Sequence, residues 1–172
     1  MLKRSGIAWG LSALVALALW LLVGCDGQRI SELEEGLATE ADVRAKFGTP
    51  ENIWEAPGGA RIFEYNRQPA GQRNYMITVG ADGRMSALRQ VLTPVNFAKV
   101  LPGMPMEEVR RMLGKPAKVT PFALKGEIHY DWRYLDAPST SLLFTVVFSP
   151  DYRVLRTLSV PDPDAPENRG GG

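Results

Sequence analysis

"GMPMEEVRRMLGKP" (residues 103–116) reads as one short helix with its end written into it. Val109 and Leu113 stand four apart, so both fall on one helical face. Pro105 suits a first turn, where its missing N–H has no helical partner, and Glu107 and Glu108 favour the positive end of the helix dipole. Gly114 stops the helix and Pro116 keeps it stopped. "GLATEADVRAKFGTP" (residues 36–50) repeats the plan with one residue of slippage. Thr39 is its N-cap with Asp42 three residues on, Val43 and Phe47 are its apolar pair, and Gly48 and Pro50 are its stop.

The segments C-terminal to each helix match too. "RIFEYN" (residues 61–66) pairs with "IHYDWRY" (128–134), and "MITVGADGRM" (76–85) with "TVVFSPDYRV" (145–154). The chain therefore carries two copies of a unit of roughly 65 residues. Ile128, Tyr130, Trp132 and Tyr134 alternate with His129, Asp131 and Arg133, and Leu142, Phe144, Val146 and Phe148 alternate likewise, which suits strands with one buried face. The aromatic stripe is either the sheet face beneath the helices or a binding platform; its match to Phe63 and Tyr65 favours the sheet face. "GADGR" (80–84) and "SPDYR" (149–153) are turns closing hairpins, while "PAGQR" (69–73) and "DAPST" (136–140) are loops. A weaker helical piece precedes each main helix, at residues 30–35 and 95–101. These elements predict an α+β chain of two tandem units, each a helix–helix pair on a three-stranded antiparallel sheet. Residues 161–172, rich in Pro, Gly and charge without apolar periodicity, are expected to be disordered.

The N-terminus carries a different signal. Lys3 and Arg4 precede an apolar run over residues 7–23, the pattern of a signal peptide. The run also reaches the lower edge of the roughly 17–25 residues a membrane-spanning helix needs, so length does not separate the two readings. Leu22-Val23-Gly24-Cys25 resembles the bacterial lipobox, in which the cysteine thiol is acylated and the chain is cut just before it. That resemblance implies a signal peptide over 1–24, a lipidated linker over 25–29, and a periplasm-facing lipoprotein held by palmitate-type chains on Cys25. The alternative is an unmodified thiol in an uncleaved anchor. Cys25 is the only cysteine, so once acylated it leaves no disulfide to form. Cleavage would remove two of the 20 basic residues and none of the 19 acidic ones. The near-neutral product offers no electrostatic case for binding nucleic acid.

Gly36, Val43, Phe47-Gly48-Thr49-Pro50, Phe63, Tyr65 and "NRQPAGQ" (66–72) resemble the SmpA/OmlA domain of BamE-like small lipoproteins. The second copy matches through Gly103-Met104, Val109, Leu113-Gly114-Lys115-Pro116 and Trp132-Arg133-Tyr134. The resemblance implies BamE-like repeats over 30–93 and 94–160 and a scaffold, not an enzyme, serving outer-membrane β-barrel protein assembly. Its implied partners are subunits of the β-barrel assembly machinery and phosphatidylglycerol. The corresponding surface includes Arg67, with Gln68 and Arg73 from the same loop. An arginine fork there can grip a lipid phosphate or a partner carboxylate, and a solvated loop arginine is the plain alternative. Copy two departs from the pattern, with Leu135-Asp136-Ala137-Pro138 in place of "RQP". Tandem helix-plus-sheet units also occur in secreted β-lactamase inhibitors, which clamp another protein with the sheet face. An inhibitory or protein-binding lipoprotein with another envelope target is therefore the second expectation. Asp26 bears on location: after an acylated cysteine, Asp is associated in enteric lipoproteins with inner-membrane retention, against the outer membrane the resemblance favours.

No catalytic constellation accompanies these features. His129 is the only histidine and falls on the polar side of its strand, without a second His or a free Cys for zinc and without a Ser partner by motif. Neither Gly58-Gly59 nor the glycines of 80–83 precede a Lys-Ser/Thr pair, so no phosphate loop is present. The expectation is a protein without catalytic residues, metal or cofactor.

Overall fold

In the computed structural model, which describes residues 30–136 and 139–165, the first helix, α1, runs Glu40–Phe47. The Thr39 hydroxyl accepts from the Asp42 N–H, and the Asp42 carboxylate accepts from the Thr39 N–H at 2.8 Å, a reciprocal cap that fixes where the helix starts. Gly48 ends it at φ 85°, ψ −156°, a conformation essentially reserved for glycine. The chain then forms an antiparallel meander in the order β1 (Asn52–Glu55), β2 (Arg61–Asn66), β3 (Asn74–Val79) and β4 (Met85–Gln90). A four-residue helix, α2 (Pro94–Phe97), and an eight-residue helix, α3 (Met106–Leu113), lead to the second meander. Its strands are β5 (Lys118–Phe122), β6 (Glu127–Asp136), β7 (Thr140–Phe148) and β8 (Val154–Pro161), again in chain order. The copies correspond down to isolated bridges, Thr39 with Arg84 and Pro105 with Arg153. Two compact units divide the chain, Met1–Glu34 and Glu35–Gly172, and both sheets lie in the second.

This architecture corrects the expected α+β units. The described chain is mostly β: each sheet has four strands, and each carries one eight-residue helix where a helix–helix pair was expected. Of the first helical pieces, residues 30–35 are helical only at Ile30 and Ser31, and the second survives as the four residues of α2. The additional strands, β1 and β5, sit at sheet edges and are exposed on alternate or nearly all positions. An edge strand needs no buried stripe and tolerates Pro121, so the pattern that reveals central strands is missing from both. The chain expected to be disordered from Pro161 instead keeps Asp162 and Ala165 buried; residues 1–29 and 166–172 lie outside the described residues.

Register decides which face each helix covers. Phe63 and Tyr65 of β2 share a face with Tyr75 and Ile77 of β3, and α1 lies there, with Phe47 5.1 Å from the Tyr65 ring and 5.4 Å from the Tyr75 ring. The Tyr65 hydroxyl donates to the Gly48 carbonyl at 3.1 Å. Sheet 2 repeats the arrangement, with Trp132 in the place of Tyr65 and its indole N–H donating to the Gly114 carbonyl at 3.0 Å. Val109 and Leu113 of α3 are 0% exposed in one cluster with Trp132, Phe144, Val146 and Phe148, each burial worth about 2 kcal/mol. Phe97 of α2 completes that cluster, stacked 4.0 Å from the Phe144 ring. Met76, which belongs to the other face of sheet 1, joins the same cluster. Helix α3 is therefore covered on two sides, and the layers run α1, sheet 1, α3, sheet 2.

Candidate protein-docking face

The face of sheet 1 turned toward α3 centres on a carboxylate. Register places Asn52, Glu64 and Met76 side by side across β1, β2 and β3. Glu64 is 0% exposed. One of its oxygens accepts from Asn52 Nδ2 at 2.9 Å and from the Trp54 indole at 3.3 Å. The other accepts from Asn66 Nδ2 at 2.8 Å, the Lys115 backbone N–H at 3.0 Å and the Arg110 guanidinium at 3.5 Å. Two of these five donors come from α3 and its terminal turn. Asn74, also fully buried, donates to the carbonyls of Leu113 at 2.8 Å and Lys115 at 3.1 Å. Arg111 stacks over Trp54 at 5.0 Å, and the Lys115 ammonium reaches Glu51 at 2.9 Å. Burial works against ionisation of Glu51, but its bonds with Asn66 and Lys115 hold its carboxyl below the usual range. A buried carboxylate is tolerated only when its lone pairs are filled, and here the helix end fills the last of them.

Sheet 2 has the same face, and Asp131 occupies the position of Glu64. Register sets Lys118, Asp131 and Thr145 side by side, as Asn52, Glu64 and Met76 are in sheet 1. Among the described residues the Asp131 carboxylate accepts one side-chain hydrogen bond, from the Thr145 hydroxyl at 2.6 Å. Beside it a cavity of about 440 Å³ is lined by Ala117, Lys118, Arg133, Leu143 and Asp164 among others. One end of the face is closed by a cluster in which Glu127 takes two bonds from Arg156 and one from His129, which in turn lies 4.3 Å from the Phe122 ring. The Arg156 bonds first, and His129 second, hold the Glu127 carboxyl down at about 2. The other end is bordered by the chain after β8, where Asp162 pairs with Arg133 at 2.7 Å. Leu158 and Val160 of the edge strand β8 lie on this face and remain partly exposed.

The residues nominated from sequence fall elsewhere. Arg67, Gln68 and Arg73 share the β2–β3 loop, but the Gln68 amide is used inside the molecule, donating to the Arg133 carbonyl at 2.8 Å and accepting from its N–H at 3.2 Å. Gln72 similarly donates to Ser141 at 2.9 Å, so this loop clips one sheet to the other. Arg67 lies 5.6 Å from the Phe47 ring, and Arg73 is exposed. Cys25 and Asp26 lie outside the described residues. Sequence reading missed Glu64, Asn74 and Asp131 as a set. The available signal was the repeat alignment itself, which pairs "FEY" with "YDW" and so sets one carboxylate against the other.

No family model matches the sequence, and no curated protein matches it. Among solved structures, the crystal structure of a DUF4309 family protein (YjgB) from Bacillus subtilis subsp. subtilis str. 168 is similar at 22% identity, over 76% of this chain and 82% of that chain, with a TM-score of 0.30. The expected membership of the SmpA/OmlA, BamE-like family is corrected by these results and by the four-stranded units. The residues that carried the resemblance are those of any short helix running into a strand: an apolar pair four apart, a glycine at positive φ and a proline.

Proposed function

We propose that this protein is a lipoprotein tethered through Cys25 to the periplasmic side of a membrane, where it acts without catalysis by holding a partner protein on the outer face of sheet 2. The observation that carries this reading is the contrast between equivalent faces: sheet 1 has its carboxylate sealed by a helix end, whereas sheet 2 presents Asp131 beside a cavity. A face with Leu143, Leu158 and Val160 around one carboxylate has the mixed character of a docking surface, an apolar patch with a polar anchor. The lone histidine supports a non-catalytic role, since it is tied to Glu127 at 2.9 Å in the ion cluster. The expected partnership with the β-barrel assembly machinery and with phosphatidylglycerol follows from the family resemblance alone.

Two substitutions in the full chain test the proposal. Cys25→Ser is expected to abolish palmitate labelling and move the protein from the membrane to the soluble fraction. Asp131→Arg is expected to abolish co-purification of the partner after mild detergent extraction, while Ala45→Arg on the exposed side of α1 leaves it intact. Partner recovery that ignores Asp131→Arg would sink the assignment of the face.

A further inference from the structure

Resting on the docking reading above, we infer that the occupant of the sheet 2 face is the C-terminal end of a helix from a different protein, carrying a cation about one turn before a glycine stop. The molecule already contains one such joint. At sheet 1, Arg110 reaches Glu64 from the last turn of α3, and the first N–H after Gly114 binds the same carboxylate. Gly114 must be glycine there, because a Cβ would come within 2.5 Å of Asn66 Oδ1 and 3.0 Å of Asn74 Nδ2. Asp131 repeats the anchor one methylene shorter, and the cavity beside it leaves room for a basic side chain to reach further in.

Charge favours a cation. On this face Glu127 is matched by Arg156 and His129, and Asp162 by Arg133, which leaves the two carboxylates of Asp131 and Asp164 against the single cation of Lys118. Among the described residues no ion pair within 4 Å engages Asp131. A second copy of this chain does not supply the helix. Helix α3 is covered on two sides, and α1 carries Glu40 and Lys46 where α3 carries Met106 and Met112. Arg44, which stands where α3 carries Arg110, is committed to Glu40, so α1 offers neither the apolar contact nor the free donor of the α3 kind. The sheet 2 socket also differs from that of sheet 1 beside the turn. Asn66 and Asn74, which clasp the backbone of the Gly114-Lys115 turn, are replaced by Arg133 and Leu143, so the partner's turn is not held by a pair of amides here.

Photo-crosslinking in the full-length chain, in its own membranes, tests this. A crosslinking residue is placed at Lys118 or Leu158 on the face, and at Ala45 on α1 as a control, and adducts are mapped to single residues. Adducts from Lys118 and Leu158 are expected in the last turn of a helix of another protein, with Arg or Lys within four residues before a glycine. Asp131→Asn, which keeps the acceptor for Thr145, is expected to lower their yield about 10-fold or more, as loss of a charge-assisted bond does. Adducts mapping to a strand, a loop, lipid or a second copy overturn the helix-end assignment and leave the docking face standing. Adducts only from Ala45, or none from either face position, overturn both.

Discussion

Gly48 and Gly114 hold the same place in the two copies, at φ 85° and 76°, and their surroundings separate two costs that usually come mixed. A Cβ on Gly48 meets nothing within 4 Å, so Gly48→Ala isolates backbone strain, about 2 kcal/mol. Gly114→Ala adds a clash with Asn66 and Asn74 in the socket and is expected to cost about twice as much. Urea unfolding of the two variants measures the difference; equal losses would mean that the socket yields freely. Tyr75 offers a complementary test, because its hydroxyl is buried and has no hydrogen-bond partner among the described residues. Tyr75→Phe removes an unsatisfied polar group and is expected to leave stability unchanged or raise it by about 1 kcal/mol in the same assay.

Among the elements, those with a buried stripe were legible in sequence. Helices α1 and α3 announced themselves through paired apolar residues and Gly stops, and β2, β3, β6 and β7 through alternation and hairpin turns. Strands β1 and β5 did not, being four and five residues long at sheet edges. The site was less legible than the fold. Alternation assigns Glu64 and Asp131 alike to the polar side of a strand, and only the stacking of α3 on sheet 1 makes one of them 0% exposed. Glu127, Arg156 and His129, which join β6 to β8, give an element-level prediction about acid. Glu127 has an ordinary value of 4.5 and is held to about 2, so the folded form binds its proton less readily than the unfolded chain. The stabilisation is present above pH 4.5 and is lost as pH falls toward 2. The urea midpoint should drop over that window in the parent chain and drop less in Arg156→Met, in which the largest cause of the shift is gone.

Over the whole molecule, α3 belongs to both cores, so the copies are not expected to unfold separately. Trp54 reports on sheet 1 and Trp132 on sheet 2, and their signals can be separated by comparing Trp54→Phe and Trp132→Phe with the parent. Coincident urea midpoints are expected, and two resolved transitions would count against a shared core. Glu64→Gln puts amide hydrogens among donors and strips Arg110 of its counter-charge, and is expected to cost about 3 kcal/mol. It should lower both reporters together even though the change lies in copy one. The two outermost layers are unlike: α1 turns Ala41 and Ala45 to solvent, whereas sheet 2 keeps an anchor, a cavity and partly exposed apolar residues. After β8 the chain forms an Asp-Pro turn, with Asp164 N–H donating to Asp162 at 3.0 Å, at the place where Thr93 and Pro94 begin α2 after β4. Growth by duplication consequently has a direction. An engineered third unit joined after Ala165 should seat its helix on sheet 2, while one joined ahead of α1 would meet only the small or charged Ala41, Asp42 and Ala45 on the exposed side of that helix, which makes the fold a ruler that lengthens from one end.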